Sequence, residues 1–183
     1  MSYSIEKYKR DIADLIDRGA KLLHAMEYEC DPIGFRKSHK SQEEFDEYVR
    51  SLPSFKLEYQ SWYSEARLVL NQLLPDRLAD FIRYYEPQEG RKLLSFESYR
   101  IADYIIGLIR KSGQQVIVNT SAAIPRMKQQ LAIVIALESR FESSLFDIRL
   151  HLQAEMFDDE LDAAKYLLDN NFVRAAGALA GVV

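Results

Sequence analysis

The stretch from Arg126 to Glu155 constrains this chain most, because it contains neither glycine nor proline. Ile124, Met127, Leu131, Val134, Phe141, Leu145, Ile148 and Leu152 keep a heptad phase through it, broken only by Glu138. Apolar residues at that spacing line one side of an α-helix. At 1.5 Å per residue, a helix of about 30 residues is roughly 45 Å long. Such a helix needs partners along its whole length. The amino-terminal stretch supplies a natural one: Ile5, Tyr8, Ile12, Leu15, Gly19, Leu22 and Met26 form a similar stripe. Asp11, Asp14, Asp17, Arg18 and Lys21 fall largely off it, as solvated residues should.

Shorter helices are marked between these two. Asp31-Pro32 and Gly34 close the first. Ser41 and Glu44 form a capping box for a short helix with Phe45 and Val49 on its apolar side. Pro53 ends that helix, and Ser54 is placed to cap the next. Phe55, Tyr59, Trp62, Tyr63, Ala66, Val69, Leu70 and Leu73 then share one face. Pro75 stops this helix and suits the first turn of another, whose buried side is Leu78, Phe81, Ile82 and Tyr85. A turn follows at Pro87-Gln88-Glu89-Gly90. A fifth helix is expected over Ser98 to Ile109, with Ala102, Ile105, Ile106 and Ile109 inward. Val116-Ile117-Val118 is β-branched and suits one short strand or hairpin edge, but three residues lack obvious partners for a sheet. Beyond the long helix, Asp158 or Asp159 is placed to start a new one carrying Leu161, Ala164, Leu167 and Leu168. Asn170-Asn171 reads as a turn, and a last helix opens at Phe172.

The expected fold is all-α: an elongated antiparallel bundle of about seven helices, two of them long. The expected division is a helical bundle over 1–156 and the start of a second helical segment over 157–183. That second segment ends on Gly181-Val182-Val183 without a cap or polar tail, so a continuation or a second chain is expected to complete it. The small residues around Ala175, Ala176 and Ala180, with Phe172 and Leu179, make this helix the expected interface. It would serve a homo-oligomer or a protein partner.

Composition removes several function classes. With 48% apolar and 28% charged residues among 183, the chain is globular in character rather than disordered. A net charge of −4 argues against a generally basic nucleic-acid-binding surface. Cys30 is the one cysteine, so neither an intrachain disulfide nor a paired-cysteine zinc site can form. No run of about 18 apolar residues exists to span a bilayer. The polar opening from Met1 to Arg10 lacks the apolar core of a signal peptide. A cytoplasmic protein without membrane association is expected.

The candidate chemistry is thin. His24, Glu27, Glu29, Cys30, Asp31 and His39 lie close in sequence, but no metal-ligand motif orders them, and a polar helix end is the simpler account. No metal or cofactor is expected. Arg18 and His24 stand nearly two turns apart on one helix; such a pair can bind a phosphate and move a proton in RNA cleavage. Arg91, Lys92, Arg100, Arg110 and Lys111 surround Tyr99 and Tyr104, so Arg100, Arg110 and Lys111 are the candidate nucleic-acid contacts. A solvated basic rim is the plainer reading. Tyr59, Trp62 and Tyr63 have the spacing of a core face rather than a cofactor box. The acidic run Glu155, Asp158, Asp159, Glu160 and Asp162 lacks the glycine and ligand spacing of a calcium loop.

The segment Asp162-Ala163-Ala164-Lys165-Tyr166-Leu167-Leu168-Asp169-Asn170-Asn171-Phe172-Val173-Arg174-Ala175-Ala176 resembles the opening of HEPN-fold domains. There, a helix ending in paired leucines leads through a polar turn to an aromatic residue and an alanine-rich helix. Tetratricopeptide-like hairpins have a similar pattern. Phe55 to Asp147 also looks like the amino-terminal helical region of bacterial proteins carrying such a domain. The resemblance implies a helical bundle that often dimerises, in proteins that are frequently RNases of toxin or defence systems. The family's signature, an Arg and then a His late in the domain, lies beyond this chain. Arg18 and His24 match its spacing but sit far upstream, so the role is not carried onto them. The leading expectation is therefore a noncatalytic interaction or regulatory module of a HEPN-like bacterial protein. The alternatives are an RNA-binding or RNA-cleaving protein, and a helical bundle that binds a small ligand or metal.

Overall fold

The computed structural model describes residues 2–37, 41–169 and 174. The chain is all-α in its architecture: seven α-helices, one 3-10 turn and one small hairpin are found among the described residues. It divides into two compact units, Met1–Arg140 and Phe141–Val183.

The first unit is built around two helices, α1 (Ser2–Cys30) and α4 (Phe55–Leu73), which pack face to face. Ile12, Leu15, Leu22 and Met26 of α1 are buried, as the stripe requires, whereas Tyr8 is exposed. Gly19 sets the closeness of the approach. A Cβ there would stand 2.8 Å from Trp62 Cζ2 and 2.9 Å from Leu131 Cδ1, inside contact distance. Trp62 Nε1 donates to Leu15 O at 2.9 Å, so the indole is both packed and satisfied. The long helix is the expected neighbour of α1, and Leu131 and Lys128 do bring its first turns against Gly19 and Glu27; α4 packs there as well, because Gly19 admits the largest side chain of the core.

Short elements frame this pair. Cys30 ends α1, and α2 (Pro32–Lys37) begins with proline in its first turn. Asp31 Oδ1 accepts from Gly34 N at 2.9 Å, which turns the expected terminator into a cap for a helix that periodicity did not indicate. Helix α3 (Gln42–Ser51) starts as expected, with Ser41 Oγ accepting from Glu44 N and Phe45 buried. Ser54 precedes α4, but its side chain makes no cap bond. Helix α5 (Pro75–Tyr85) lays Phe81 on Tyr63, with ring centroids 5.2 Å apart and planes 11° from parallel.

The expected fifth helix is much shorter. Helix α6 covers only Ile101–Ile105. Gly107 then takes a positive φ of 69°, and the Leu108 and Gly107 N–H groups bond back to Asp103 O and Tyr104 O. This closure ends the helix before Ile106 and Ile109, which are exposed rather than inward. Ile101, Asp103 and Tyr104 are the buried positions. The β-branched run does find a partner: β2 (Gln115–Val118) pairs antiparallel with β1 (Arg110–Ser112) across a turn in which Gly113 has φ 59°.

A 3-10 turn over Thr120–Ala123, capped by Asn119, leads into α7 (Ile124–Asp169). Within the first unit α7 buries Met127, Gln130, Leu131, Ile133, Val134 and Leu137. Leu137 thus fills the place where the heptad count met Glu138. In the second unit the helix continues to Asp169 without a break at Asp158 or Asp159. Aspartate costs a helix interior only about half a kcal/mol, so without glycine or proline the backbone ladder has no reason to stop. Ala164 is buried there, while Phe146, Leu161, Tyr166 and Leu168 are exposed.

Candidate functional site

The first sequence candidates, Arg18 and His24, do not converge. Arg18 Nη2 pairs with Glu65 at 2.6 Å and its Nε with Asp14 at 2.8 Å. His24 Nδ1 instead meets the Tyr48 hydroxyl, and its ring packs at an angle against Phe35. Each side chain is tied to a different helix. Of the acidic and sulfur groups near them, Glu27 pairs with Lys128 at 2.8 Å, and Cys30 Sγ lies 3.8 Å from Thr120 Oγ1. Glu29 accepts a hydrogen bond from the Tyr104 hydroxyl, and burial, followed by this bond, drives that phenol's pKa upward. Among the described residues no three metal-ligating side chains come together. His39 lies outside the described residues, as do the interface candidates Phe172, Ala175, Ala176, Leu179 and Ala180.

Lys92 and Lys111 are exposed, as a solvated rim requires, but the arginines around α6 turn onto the backbone. The segment between α5 and α6, residues 86–100, has almost no regular structure, and arginines hold its carbonyls. Arg91 Nη1 donates to Ser98 O at 3.0 Å, and its guanidinium grips both oxygens of Asp103 at 2.6 and 2.8 Å. This bidentate bond raises the Arg91 pKa. Asp103 Oδ2 also accepts from the Arg100 backbone N–H at 2.8 Å, so the carboxylate caps α6 and anchors the loop at once. Arg110 Nη1 donates to Leu94 O at 3.1 Å. Arg126 Nη2 donates to Phe96 O and Glu97 O at 3.0 and 3.1 Å. Arg100 is only 6% exposed, and its Nη1 reaches Glu97 O and Tyr99 O at 2.7 and 2.9 Å. Of the three nucleic-acid candidates, Lys111 alone stands exposed on the hairpin.

Tyr99 and Tyr104 are core residues of this region, not members of a stacking platform. The Tyr99 hydroxyl donates to Leu108 O at 2.8 Å, and burial pushes its pKa up to about 12. Tyr104 sits edge-on to Phe55, with centroids 5.0 Å apart. The aromatic face of α4 is likewise core: Tyr59 and Trp62 are buried, and Tyr59 donates to Gln130 Oε1 at 2.8 Å. Gln130 Nε2 in turn donates to Phe81 O at 2.8 Å, which joins α4, α5 and α7 through one buried amide.

Sequence reasoning did not single out Asp103, Arg126 or Gln130. Asp103 carried a signal, since an acidic residue three positions into a helix reaches back to its start. Arg126 carried another, because a cation in the first turn of a helix opposes the macrodipole and needs a local reason to be there. Gln130, on an otherwise apolar stripe, was marked only by its polarity. No protein-family model matches this chain, and comparison with curated proteins and with solved structures finds no match either.

Proposed function

We propose that this chain is a noncatalytic helical interaction module, belonging to the amino-terminal part of a HEPN-like bacterial protein of toxin or defence type. One observation supports the reading most: in the second unit α7 leaves large apolar side chains in solvent. Phe146 is 63% exposed, Leu161 50% and Leu168 54%. Leu161 and Leu168 are two turns apart on one side of the helix, with buried Ala164 between them. Large apolar groups exposed along a helix suit a surface that another protein covers. A second copy of the chain is the partner of this reading. The pattern from Asp162 to Ala176 resembles segments of dimerising domains and supports it further.

The test is sedimentation velocity across the micromolar range, on the full chain and on Phe146→Asp and Leu161→Asp. A concentration-dependent dimer that either substitution weakens about tenfold or more is the expected result. A monomer at every concentration, or a dimer indifferent to both changes, would overturn the reading.

A further inference from the structure

Arg100 forms no ion pair among the described residues, and the one carboxylate that acts on it, Asp103, is bound by Arg91. Its Nη1 is held by two carbonyl oxygens, and its buried Nε finds no acceptor. Arg126 donates to the same two oxygens, Glu97 O and Tyr99 O, at 3.1 and 3.3 Å. The two guanidinium groups therefore stand side by side. Neither forms an ion pair among the described residues. Asp103, the buried carboxylate beside them, is already occupied on both oxygens by Arg91. Glu97 has an exposed carboxylate that bonds to its own backbone N–H and to Ser95 and acts on Arg126 only from a distance, as the weakest of its interactions. From the end of α5, which packs against α6, Arg83 adds a further positive charge close enough to act on Arg100. Arg83 shares Asp80 with Arg77, at 3.1 and 3.2 Å respectively, so one carboxylate serves two cations there.

Carbonyl dipoles satisfy hydrogen bonds but do not cancel charge. A buried cation whose counterion is shared with another arginine is costly, and like charges beside it add to the cost. Desolvation and its arginine neighbours accordingly hold the Arg100 guanidinium below its usual pKa. Such a cluster, in a chain of net charge −4, is relieved by an oxyanion with several acceptor oxygens. We propose that Arg100 and Arg126, in the field of Arg83, form a binding site for a small phosphate dianion, either free inorganic phosphate or a terminal phosphomonoester. The recessed position of Arg100 selects a terminal group. An internal phosphodiester carries a sugar on each side and reaches a recessed guanidinium less closely. This site lies in the first unit and stands independently of assembly through the second.

The experiment is calorimetric titration and thermal unfolding of the full chain with sodium phosphate, with adenosine 5′-monophosphate and with a 5′-hydroxyl single-stranded RNA. Sodium chloride at matched ionic strength and pH is the control. Saturable phosphate binding that raises the Tm at least about 3 °C above the chloride control is expected. Arg126→Gln should weaken binding roughly tenfold, and the exposed Arg83→Gln about threefold, while Lys111→Gln leaves it unchanged. Arg83→Gln keeps the test decisive if Arg126→Gln loosens the loop. Tighter binding of the nucleotide than of phosphate identifies a monoester as the source; equal affinity identifies the free ion. Equal unfolding temperatures in phosphate and chloride would overturn the site. So would RNA binding that exceeds phosphate binding and depends on Lys111, which would move the contact to the exposed hairpin.

Discussion

The Trp62 side of the first unit and the loop between α5 and α6 are ordered by opposite means. Around Trp62, order comes from exclusion of water. Tyr59, Trp62, Tyr63 and Phe81 pack with ring centroids 5.2–5.9 Å apart, and Gly19 removes the one side chain that would keep α1 away. In the loop at residues 86–100, order comes from arginine donors closing on backbone carbonyls, anchored by one carboxylate. The first arrangement is insensitive to charge and depends on shape. The second depends on charge and gathers arginines around one buried carboxylate. An apolar scaffold and a charge-ordered loop thus belong to one small unit, each with its own physical basis.

The comparison predicts effects of different size and kind. Trp62→Ala should be the most damaging change, costing about 3–5 kcal/mol through lost burial and a cavity that the surrounding rings cannot close. It should lower the midpoint of chemical denaturation for the whole first unit. Asp103→Asn should cost about 3 kcal/mol, because Arg91 is left without its charge partner in a partly buried site. Its signature is local: limited proteolysis should accelerate within residues 86–100 while α-helical circular dichroism at low temperature is retained. If Asp103→Asn melted the unit as uniformly as Trp62→Ala, the two regions would be one cooperative structure and the contrast would fail. Gln130→Leu should cost about 2 kcal/mol, since the buried Tyr59 hydroxyl loses its acceptor. Thermal unfolding compared with the Tyr59→Phe, Gln130→Leu double variant would isolate that bond.

The smallest effects separate two tyrosines. Tyr63 and Tyr99 both have pKa values pushed up to about 12, chiefly by burial. A raised tyrosine pKa means that folding favours the protonated phenol. The stability this contributes is fully present below the unfolded value of 10.0 and is lost as pH rises from there toward about 12. Denaturation midpoints should therefore fall across that window. Tyr99 donates to Leu108 O, whereas the buried Tyr63 hydroxyl has no partner among the described residues. Tyr63→Phe should then be neutral or slightly stabilising, and Tyr99→Phe should cost about 1 kcal/mol. A Tyr63→Phe variant as destabilised as Tyr99→Phe would show that the Tyr63 hydroxyl has a partner in solution.

Much of the helical framework was legible because apolar spacing reports which face of a helix is buried. The stripes of α1, α3, α4 and α5, the Ser41 cap and the Pro75 start followed from local chemistry. Boundaries governed by backbone closure were harder. The end of α6 depends on Gly107 taking a positive φ, and nothing in the surrounding pattern distinguishes that glycine from one tolerated in a helix. The hairpin was half legible: the strand at Val116–Val118 was visible, but its partner, the polar Arg110-Lys111-Ser112, carries no alternation. Continuity of α7 through Asp158 and Asp159 was obscured because the same residues that start helices are tolerated inside them.

Periodicity and the scarcity of helix breakers by themselves determined an all-α chain with two long helices and an aromatic face on α4. These are properties of neighbours three and four apart, and the chain carries them wherever it packs. Only the tertiary structure decided that Gly19 meets Trp62, that Arg18 and His24 part to different helices, and that the arginines near α6 turn onto backbone carbonyls. Composition shows how many charges a segment holds. Which of them find a carboxylate, and which are left beside another cation, depends on groups that only folding brings together.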